Sequence, residues 1–376
     1  MSMATYDVVI VGAGIVGAAC ADELARRGFR VVVVDRDVVG SGATAAGMGH
    51  IVVMDDSDAQ FALTRYSQRL WQGLRLELPA DVEYEQCGTI WVAADEEEMV
   101  EVRRKHEYHG RLDVPTTVLD AQALQRLEPN LRDGLAGGLL VPEDAVLYPP
   151  GAARFLMARA QKSSAEIRLG AQVAQMGQGR VRLSDGAEIA GQFLVNAAGA
   201  WSPELMGGVE VKKRKGHLVI TDRYAGFLRH QLVELGYLKS AHAVSSDSVA
   251  FNVQPRRTGQ ILIGSSRQYG AEHKEVDHEI LRRMLQRAQE YMPGLGAMSA
   301  VRTWTGFRAA TPDKLPLIGP CRGDKSLFLA TGHEGLGITT SLATAKILAD
   351  QITGARAEIA IEPYLPARMG KENVRV

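Results

Sequence analysis

The sequence contains little cysteine and no long apolar run. Among its 376 residues the three cysteines, Cys20, Cys87 and Cys321, lie far apart and form no C-x-x-C pair. This spacing excludes a local zinc or iron–sulfur site and favours a reducing compartment, so we expect no metal. No apolar stretch approaches the roughly 18 residues of a membrane helix, and the N-terminus lacks a signal-peptide pattern. We therefore expect a cytoplasmic protein without a membrane anchor.

The sequence also lacks an excess of charge of either sign. It contains 43 Lys and Arg against 44 Asp and Glu, which argues against nucleic acid or an anionic membrane surface as a partner. The one dense basic cluster is Lys212-Lys213-Arg214-Lys215. We interpret it as the solvated start of a strand, with an anion or partner site as the alternative. The length allows one large domain or two interleaved domains with ample core.

A glycine-rich turn follows the first predicted strand. The apolar run from Tyr6 to Val11 leads into Gly12-Ala13-Gly14-Ile15-Val16-Gly17 and then into an alanine-rich helix. In such a turn Gly12 allows a tight bend, Gly14 lets the backbone approach a pyrophosphate, and Gly17 lets helix and strand pack closely. The helix start then offers N–H groups and a positive dipole end to phosphates.

An acidic residue completes this N-terminal pattern. The second apolar run, 31–34, ends at Asp35, about 20 residues beyond the glycines, where a carboxylate binds a ribose hydroxyl. A G-x-G-x-x-G segment alone is weak evidence. Strand, glycines, helix, strand and terminal acid in this order predict dinucleotide binding.

Small residues also follow buried strands at other places in the chain. The stretch 39–50 is too rich in glycine for an ordinary helix and suits backbone that lies against a ligand. Residues 196–202 and 332–337 each come directly after an apolar strand. We expect these distant segments to converge on one extended cofactor. The periodicity further predicts a strand pair over 83–94 and helices over 58–78, 96–109, 149–161, 277–291 and 338–352.

Four motifs in this order resemble the D-amino-acid oxidase/glycine oxidase/sarcosine oxidase superfamily of FAD enzymes. They are GAGIVG, NAAGAWS, GFRAATPDKLPLIG and ATGHEGLG, and the resemblance covers nearly the whole chain. The GMGH segment is most similar to D-hydroxyproline dehydrogenases and to the flavoprotein subunits of hydrogen cyanide synthase and opine oxidase.

The resemblance implies an α/β fold with two interleaved domains. A glutathione-reductase-type FAD-binding Rossmann domain would comprise 1–50, 142–207 and 311–376. An α+β substrate domain, built on a large, mostly antiparallel sheet, would comprise 51–141 and 208–310.

The resemblance also implies which residues hold the cofactor. Sarcosine oxidases attach their flavin to a cysteine shortly before their equivalent of Thr311-Pro312-Asp313. This chain has no cysteine at 305–308, so we expect FAD to be bound without a covalent link. The residues expected to bind it are Gly12, Gly14, Ile15, Val16, Gly17, Asp35, Arg36, Ser41, Thr44, Ala45, Gly47, Met48, Gly49, Val173, Ala198, Gly199, Trp201, Gly335, Leu336, Gly337, Ile338 and Thr339.

The implied chemistry is the oxidation of an amino acid to an imine, in which a hydride moves from Cα to flavin N5. Because the flavin performs the difficult step, the protein mainly orients the substrate. Arg308 stands where the family binds the substrate carboxylate, a role that suits a guanidinium. His333, His50 and Tyr237 are further candidates for contact with the substrate, although either histidine also fits a structural role. No general base is assigned.

The electron acceptor and the partners follow from the same resemblance. Sarcosine oxidases place a lysine near N5 on the strand that matches 260–264, whereas this chain has Ile261, Leu262 and Ile263. We therefore expect a dehydrogenase of a D-configured or secondary amino acid, with cis-4-hydroxy-D-proline as the first candidate. An oxidase of glycine, sarcosine or an opine, a flavoprotein subunit of a heteromer, and an NAD(P)-dependent oxidoreductase remain alternatives. The chain is expected to form a homo-oligomer or to bind an electron-transfer partner.

Overall fold

The first sheet of the protein is built from valine-rich strands. The computed structural model describes residues 5–236 and 247–369. Strands β1 (Thr5–Val11) and β2 (Val31–Asp35) are buried almost throughout. Apolar strands of this kind need cover on both faces, which is typical of a parallel sheet with helices packed against it. β1 pairs in parallel with β2 and also with a later strand, β11 (Glu188–Asn196).

Nineteen strands are present in the described residues. The other seventeen are β3 (His50–Ile51), β4 (Thr89–Ala93), β5 (Thr117–Asp120), β6 (Gly137–Val141), β7 (Ala145–Val146), β8 (Glu166–Leu169), β9 (Val173–Gly177), β10 (Arg180–Leu183), β11 (Glu188–Asn196), β12 (Lys212–Arg223), β13 (Gln231–Glu234), β14 (Ser248–Pro255), β15 (Gln260–Arg267), β16 (Ala300–Ala310), β17 (Leu317–Cys321), β18 (Asp324–Thr331) and β19 (His333–Glu334).

The helices lie at most of the positions that the periodicity of the sequence predicts. Among the described residues they are α1 (Ile15–Arg26), α2 (Asp58–Leu74), α3 (Glu96–Arg111), α4 (Ala121–Leu127), α5 (Pro149–Lys162), α6 (Ser202–Leu205), α7 (His278–Tyr291) and α8 (Gly337–Thr353). Ser57, Asp95 and Asp277 cap α2, α3 and α7 through their side-chain oxygens, which accept hydrogen bonds from the first-turn N–H groups.

The strands form two large sheets. The first has the order β17-β18-β11-β1-β2-β8, with β10 on the side of β11 and β9 paired to β10. The second has the order β19-β16-β12-β15-β14-β13-β4-β6-β5 and is antiparallel except where β13 meets β4. This is the expected fold class: a parallel α/β sheet of the FAD-binding type next to a large, mostly antiparallel sheet.

Two predicted strand boundaries are wrong. The stretch 83–94 holds one strand, β4, because its partners β6 and β13 come from distant parts of the chain and no local hairpin forms. Glu85 makes only an isolated bridge to Val146. The apolar segments 188–189 and 193–195 predict two short strands, but β11 is one continuous strand from Glu188 to Asn196.

The core of the first sheet brings three helices together. Helices α1, α5 and α8 pack in one apolar cluster on one face of this sheet. The carboxyl ends of β1, β2 and β11 lie at the same edge, where ligands bind in open α/β sheets. In the described ranges, no helix has the length and apolar character needed to cross a bilayer.

Candidate active site

A single continuous cavity joins the edge of the parallel sheet to one face of the large sheet. At one end it is lined by Asp35 and Arg36, and at the other by Arg308 and His333. Its walls include the starts of both α1 and α8. An extended ligand can therefore lie against the first sheet while one of its ends faces the second sheet.

The turn after β1 leaves no room for side chains. Gly12 has φ +114°, and a Cβ there would lie 2.5 Å from the carbonyl oxygen of Ala197, the residue that follows the neighbouring strand β11. A Cβ on Gly17 would lie 1.9 Å from the carbonyl oxygen of Gly12. Backbone is thus packed against backbone at both positions, which keeps the α1 start close to the sheet edge. This cradle fits a dinucleotide pyrophosphate.

Polar contacts fix the loops around this cradle. The Asp35 carboxylate accepts from the backbone N–H of Ala13 at 2.6 Å and also lines the cavity. The Thr44 hydroxyl accepts from the N–H of Ile15 at 3.0 Å, so the 41–49 loop is tied to the first turn of α1. The N-cap residues of α1 and α8, Gly14 and Leu336, do not cap their helices with their own side chains. Both helix ends therefore direct N–H groups and positive dipole ends toward the cavity, as suits the phosphates and a flavin that gains negative charge.

Most residues expected to bind the cofactor line this cavity. They are Gly12, Gly14, Ile15, Val16, Asp35, Arg36, Ser41, Thr44, Gly47, Met48, Gly49, Val173, Ala198, Gly199, Trp201, Gly335, Leu336, Gly337 and Ile338.

Three of the expected residues are not among those that line the cavity. Gly17 packs against Gly12, and Ala45 lies on the exposed side of its loop. The Thr339 hydroxyl donates to the carbonyl oxygen of His50 at 2.8 Å and so joins α8 to the end of the same loop. Gly17 and Thr339 therefore shape the cavity indirectly.

The large sheet presents alternate residues of its central strands to the cavity. On β12 these are Arg214, Gly216 and Leu218, as the two-residue period of a strand requires. Arg214 and Lys215 are buried, at 6% and 0% relative exposure. The interpretation of the basic cluster as solvated was therefore wrong for its second half, because β12 enters the middle of a sheet rather than its edge.

The side chain of Arg308 lies across the neighbouring strand β12 at a glycine, Gly216. In the β12–β16 pair Arg308 stands opposite Arg214, and Gly216 stands opposite Gly306. The Arg308 guanidinium crosses Gly216 and donates to the carbonyl oxygen of Ser266 on β15 at 2.8 Å. A Cβ on Gly216 would lie 2.7–2.9 Å from the guanidinium atoms. Arg308 is thus held flat against the sheet, within the cavity where a carboxylate can bind.

Both predicted histidines line the cavity and are neutral. Burial lowers the pKa of His333 to about 3, and its Nε2 lies 2.9 Å from the hydroxyl of Thr344 in α8. Burial lowers the pKa of His50 to about 4. The charge of Arg308 adds to this lowering of the pKa, and the hydrogen bond to Gln231 opposes it. The His50 Nδ1–H donates to Gln231 Oε1 at 2.6 Å, so Nε2 remains an acceptor. Tyr237, the remaining candidate, lies outside the described residues.

The strand β15 carries different residues toward the cavity than the sequence indicated. Ile261 and Ile263 pack in the core on the other side of the sheet, and Leu262 packs against Met48 and Leu218. The cavity-lining residues of β15 are Ser265 and Arg267. Ile261, Leu262 and Ile263 are therefore not among the residues that line the cavity, and the match of 260–264 to the strand that carries the lysine stays a prediction.

Sequence reasoning missed several residues on the large sheet. Arg214, Arg267 and Asn252 line the cavity, as does Glu334, whose carboxylate forms an ion pair with Arg214. The sequence around each of these residues matches no recognisable motif, and which of them meet in the cavity depends on which strands pair. The alternation 214, 216, 218 in a β-rich segment was the available signal for Arg214.

Comparisons with known proteins agree with this geometry. The sequence profile of the DAO family, FAD-dependent oxidoreductases, matches residues 7–351. The chain is 32% identical to a glycine oxidase of Pseudomonas aeruginosa over 96% of its own length and 98% of the relative's. It is 29% identical to the hydrogen cyanide synthase subunit HcnC of the same organism, over 99% and 98% of the two lengths.

A solved structure shows the same fold. The crystal structure of glycine oxidase from Geobacillus kaustophilus superimposes with a TM-score of 0.87 at 26% identity, covering 97% of this chain and 99% of the other. The cradle of β1 and α1, the loop from Ser41 and the start of α8 fit FAD, the cofactor of this family. The chain therefore belongs to the DAO family of FAD-dependent oxidoreductases.

Proposed function

We propose that this protein oxidises the Cα–N bond of a D-configured or secondary amino acid to the imine, with electrons passed to an acceptor other than oxygen. The observation that carries the proposal is the Arg308 guanidinium, held across Gly216 in the same cavity as the α1 and α8 N-termini. A guanidinium in this setting binds a carboxylate through two parallel hydrogen bonds. The relatives named glycine oxidase and hydrogen cyanide synthase subunit support an amino-acid substrate.

The residues around Arg308 would orient the substrate and exclude water. FAD, when bound, supplies the acceptor for the hydride that leaves Cα. Arg308 would hold the substrate carboxylate, and the apolar side chains of Met48, Trp91 and Leu218 on the cavity wall would keep water from the reacting carbon. His50 and His333 are neutral at physiological pH and so add no cationic charge near the substrate amine. The substrate would bind with its amine already deprotonated, which removes the need for a general base.

The finer assignments rest on narrower grounds. The resemblance of the GMGH segment favours cis-4-hydroxy-D-proline as the first substrate candidate. The strand β15 presents Ser265 and Arg267 to the cavity and no lysine among its described residues, which supports an acceptor other than oxygen. FAD bound without a covalent link agrees with the absence of cysteine from 305–313.

A second candidate is an oxidase, supported by the 32% identity to a glycine oxidase. A third is a subunit of a heteromer, supported by the similarity to HcnC, which is a subunit by name.

One two-stage experiment separates these candidates. The purified chain is mixed anaerobically with a panel of amino acids of both configurations and of N-substituted glycines, and flavin reduction is followed by absorbance. The reduced protein is then mixed with air or with an artificial dye. Reduction by an amino acid with fast dye and slow air reoxidation supports the proposal. Fast reoxidation by air indicates an oxidase, and reduction that occurs only after a partner is added indicates an obligate subunit.

A further inference from the structure

A row of hydrogen-bonding side chains leads from His50 into the buried part of the large sheet. His50 Nδ1 lies 2.6 Å from Gln231 Oε1, and Gln231 Nε2 lies 3.2 Å from the hydroxyl oxygen of Thr89. Gln231 and Thr89 stand opposite each other on β13 and β4, with relative exposures of 3% and 1%. The hydroxyl of Thr89 in turn interacts with the carboxylate of Asp144, which is fully buried. We call these four residues the His50 network.

The buried carboxylate of Asp144 sets the direction of the hydrogen bonds in this network. An ionised carboxylate only accepts hydrogen bonds. Burial raises the pKa of Asp144 to about 7, and hydrogen bonding by the Thr89 hydroxyl opposes that rise, because it stabilises the charged form. Asp144 Oδ2 accepts from no N–H group of the described residues, which leaves this oxygen for the hydroxyl hydrogen. The Thr89 oxygen then accepts from Gln231 Nε2, and Gln231 Oε1 accepts from His50.

The network therefore fixes the tautomer of His50. The hydrogen bond made by one ring nitrogen decides which nitrogen carries the proton, so the proton stays on Nδ1 and Nε2 keeps its lone pair. The ring lines the cavity, and none of the described residues forms a hydrogen bond with Nε2. Arg308 lines the same cavity and is near enough for its charge to lower the pKa of His50. A ligand whose carboxylate binds Arg308 thus meets an uncharged acceptor.

The backbone of His50 is held in place as well as its ring. The carbonyl oxygen accepts from the Thr339 hydroxyl of α8 at 2.8 Å, and the residue pairs with Val146 between β3 and β7. The start of α8 belongs to the cofactor side of the cavity, whereas Gln231 belongs to the large sheet. The ring of His50 is therefore positioned between the cofactor side and the sheet that carries Arg308.

We propose that Gln231 and Thr89 are positioning residues, which hold His50 as the hydrogen-bond acceptor for the N–H of the substrate amine. This inference rests on the proposed function. An N–H bonded to Nε2 turns the lone pair of the neutral amine toward Cα, where that pair forms the C=N bond as the hydride leaves. The site would therefore select primary and secondary amines and reject tertiary amines, which have no N–H.

Two planar carboxylates of the same shape test the acceptor without any oxidation. Pyrrole-2-carboxylate has an N–H next to the carbon that bears the carboxylate, and furan-2-carboxylate has an oxygen at that place. Each is titrated into the FAD-loaded protein at about pH 8.5, above the pKa of Asp144, and Kd is read from the change in flavin absorbance. We expect pyrrole-2-carboxylate to bind about tenfold more tightly or better, because only its N–H can donate to His50 Nε2.

Variants assign this preference to the network. In Gln231→Leu the Nδ1–H of His50 loses its acceptor, and in Thr89→Val the Gln231 amide loses the contact that orients it. Both changes should reduce the preference to less than about threefold, whereas Thr89→Ser keeps the hydroxyl and should keep the preference. Circular dichroism and FAD content establish that each variant is folded.

Thr221→Val is the matched control for the loss of a buried threonine hydroxyl. Thr221 lies on β12 of the same sheet with 2% relative exposure, is not among the residues that line the cavity, and bonds backbone groups of Asp222 and Ile261. We expect this variant to keep the full preference for pyrrole-2-carboxylate.

NMR measures the tautomer directly. The ring nitrogen shifts of ¹⁵N-labelled His50, assigned by comparison with His50→Gln, show which nitrogen carries the proton. We expect the proton on Nδ1 in the wild type and in Thr89→Ser, and a larger share on Nε2 in Thr89→Val. This readout requires neither a ligand nor turnover.

The results separate the two proposals. A proton on Nε2 in the wild type, equal affinity for the two carboxylates, or a preference that survives Gln231→Leu overturns the positioning role, whether or not amino acids are oxidised. A proton on Nδ1 and a preference that depends on Gln231, without flavin reduction by any amino acid, supports the acceptor role of His50 and overturns the proposed function.

Discussion

At the scale of single residues, the central feature is an arginine that depends on a glycine. Arg308 can lie flat because Gly216 has no side chain, and the paired Gly306 has none because a Cβ there would lie 2.3 Å from Cβ of Ala46. The two glycines bring sheet, arginine and loop 41–49 together. The chemistry of the guanidinium is thus not sufficient by itself. Its position requires bare backbone beneath it.

Replacing Arg308 tests its role directly. Arg308→Ala removes a charged contact that makes two hydrogen bonds to the substrate carboxylate. We expect kcat/KM for the best amino acid to fall roughly 100-fold, which is a loss of about 3 kcal/mol of transition-state stabilisation. Steady-state kinetics with an artificial dye measures this. Arg302→Gln, at an exposed position of the same strand, is the control and should leave kcat/KM within twofold. A similar value for Arg308→Ala and wild type would show that the carboxylate binds elsewhere.

Gly216→Ala tests the positioning of the same arginine without altering its charge. The new Cβ meets the flexible end of Arg308, so the protein should fold with nearly unchanged stability while the guanidinium moves. We expect the Kd of a carboxylate ligand to rise about tenfold or more and the thermal midpoint to shift little. If ligand binding is unchanged, the guanidinium has another equivalent position, and the claimed dependence on Gly216 fails.

Some of the residues that line the cavity could be predicted from the sequence, and others could not. Arg308 could be assigned because it lies within a contiguous motif that ends at Gly319. Arg214 and Arg267 could not, because their meeting depends on the pairing of β12, β15 and β16, which the chain does not encode locally. His50 and His333 were placed near the site, and only their burial shows that they are neutral.

At the scale of secondary-structure elements, two helix starts define the cofactor side of the cavity. The α1 start was predictable because glycine spacing, strand and helix are adjacent in the sequence. The lengths of β4 and β11 were not, since strand ends are set by partners that come from distant segments. For this reason residues 83–88 form no strand, although the sequence predicts one there.

The contact between α1 and β1 gives a prediction at this scale. In Gly17→Ala the new Cβ would meet the carbonyl oxygen of Gly12 at 1.9 Å, and neither backbone can move without opening the cradle. We expect FAD affinity to fall at least tenfold, measured by fluorescence titration of the apoprotein. Gly73→Ala is the matched control: Gly73 is an exposed helical glycine with nothing within 4 Å of its added Cβ. That change should leave FAD affinity unchanged and stabilise α2 by about 0.5–1 kcal/mol.

Full FAD affinity in Gly17→Ala would mean that the α1 turn does not need its close approach to β1. Loss of affinity in Gly73→Ala as well would point to general sensitivity of the fold to helical substitutions. Either result would contradict the proposed role of this cradle.

At the scale of the whole molecule, buried histidines make stability depend on pH. Burial lowers the pKa of His50, His109 and His217 to about 4 and that of His333 to about 3. In the unfolded chain these groups take up protons near pH 6.5. Between about pH 6.5 and 4 the unfolded state therefore binds more protons, and stability falls as the pH is lowered. Asp144, whose pKa burial raises to about 7, acts in the opposite direction because its folded form is protonated first.

The four histidines change the stability more than the one aspartate does, so the net effect of lowering the pH is to destabilise the folded protein. We expect the free energy of unfolding to fall by a few kcal/mol between pH 7 and pH 5, and the thermal midpoint to fall with it. Thermal denaturation at fixed FAD concentration, followed by circular dichroism, measures this. A midpoint that stays constant or rises at pH 5 would show that these histidines are accessible to protons in the folded protein.

The most direct test of the account is the absorbance spectrum of the purified protein before and after anaerobic addition of amino acids. We predict the two visible bands of oxidised flavin, their loss on addition of an amino acid with a free carboxylate, and release of the flavin into the supernatant after acid precipitation. A folded protein without these bands, or bands that no amino acid diminishes, would contradict the claim that the cavity between the two sheets holds FAD for the oxidation of amino acids.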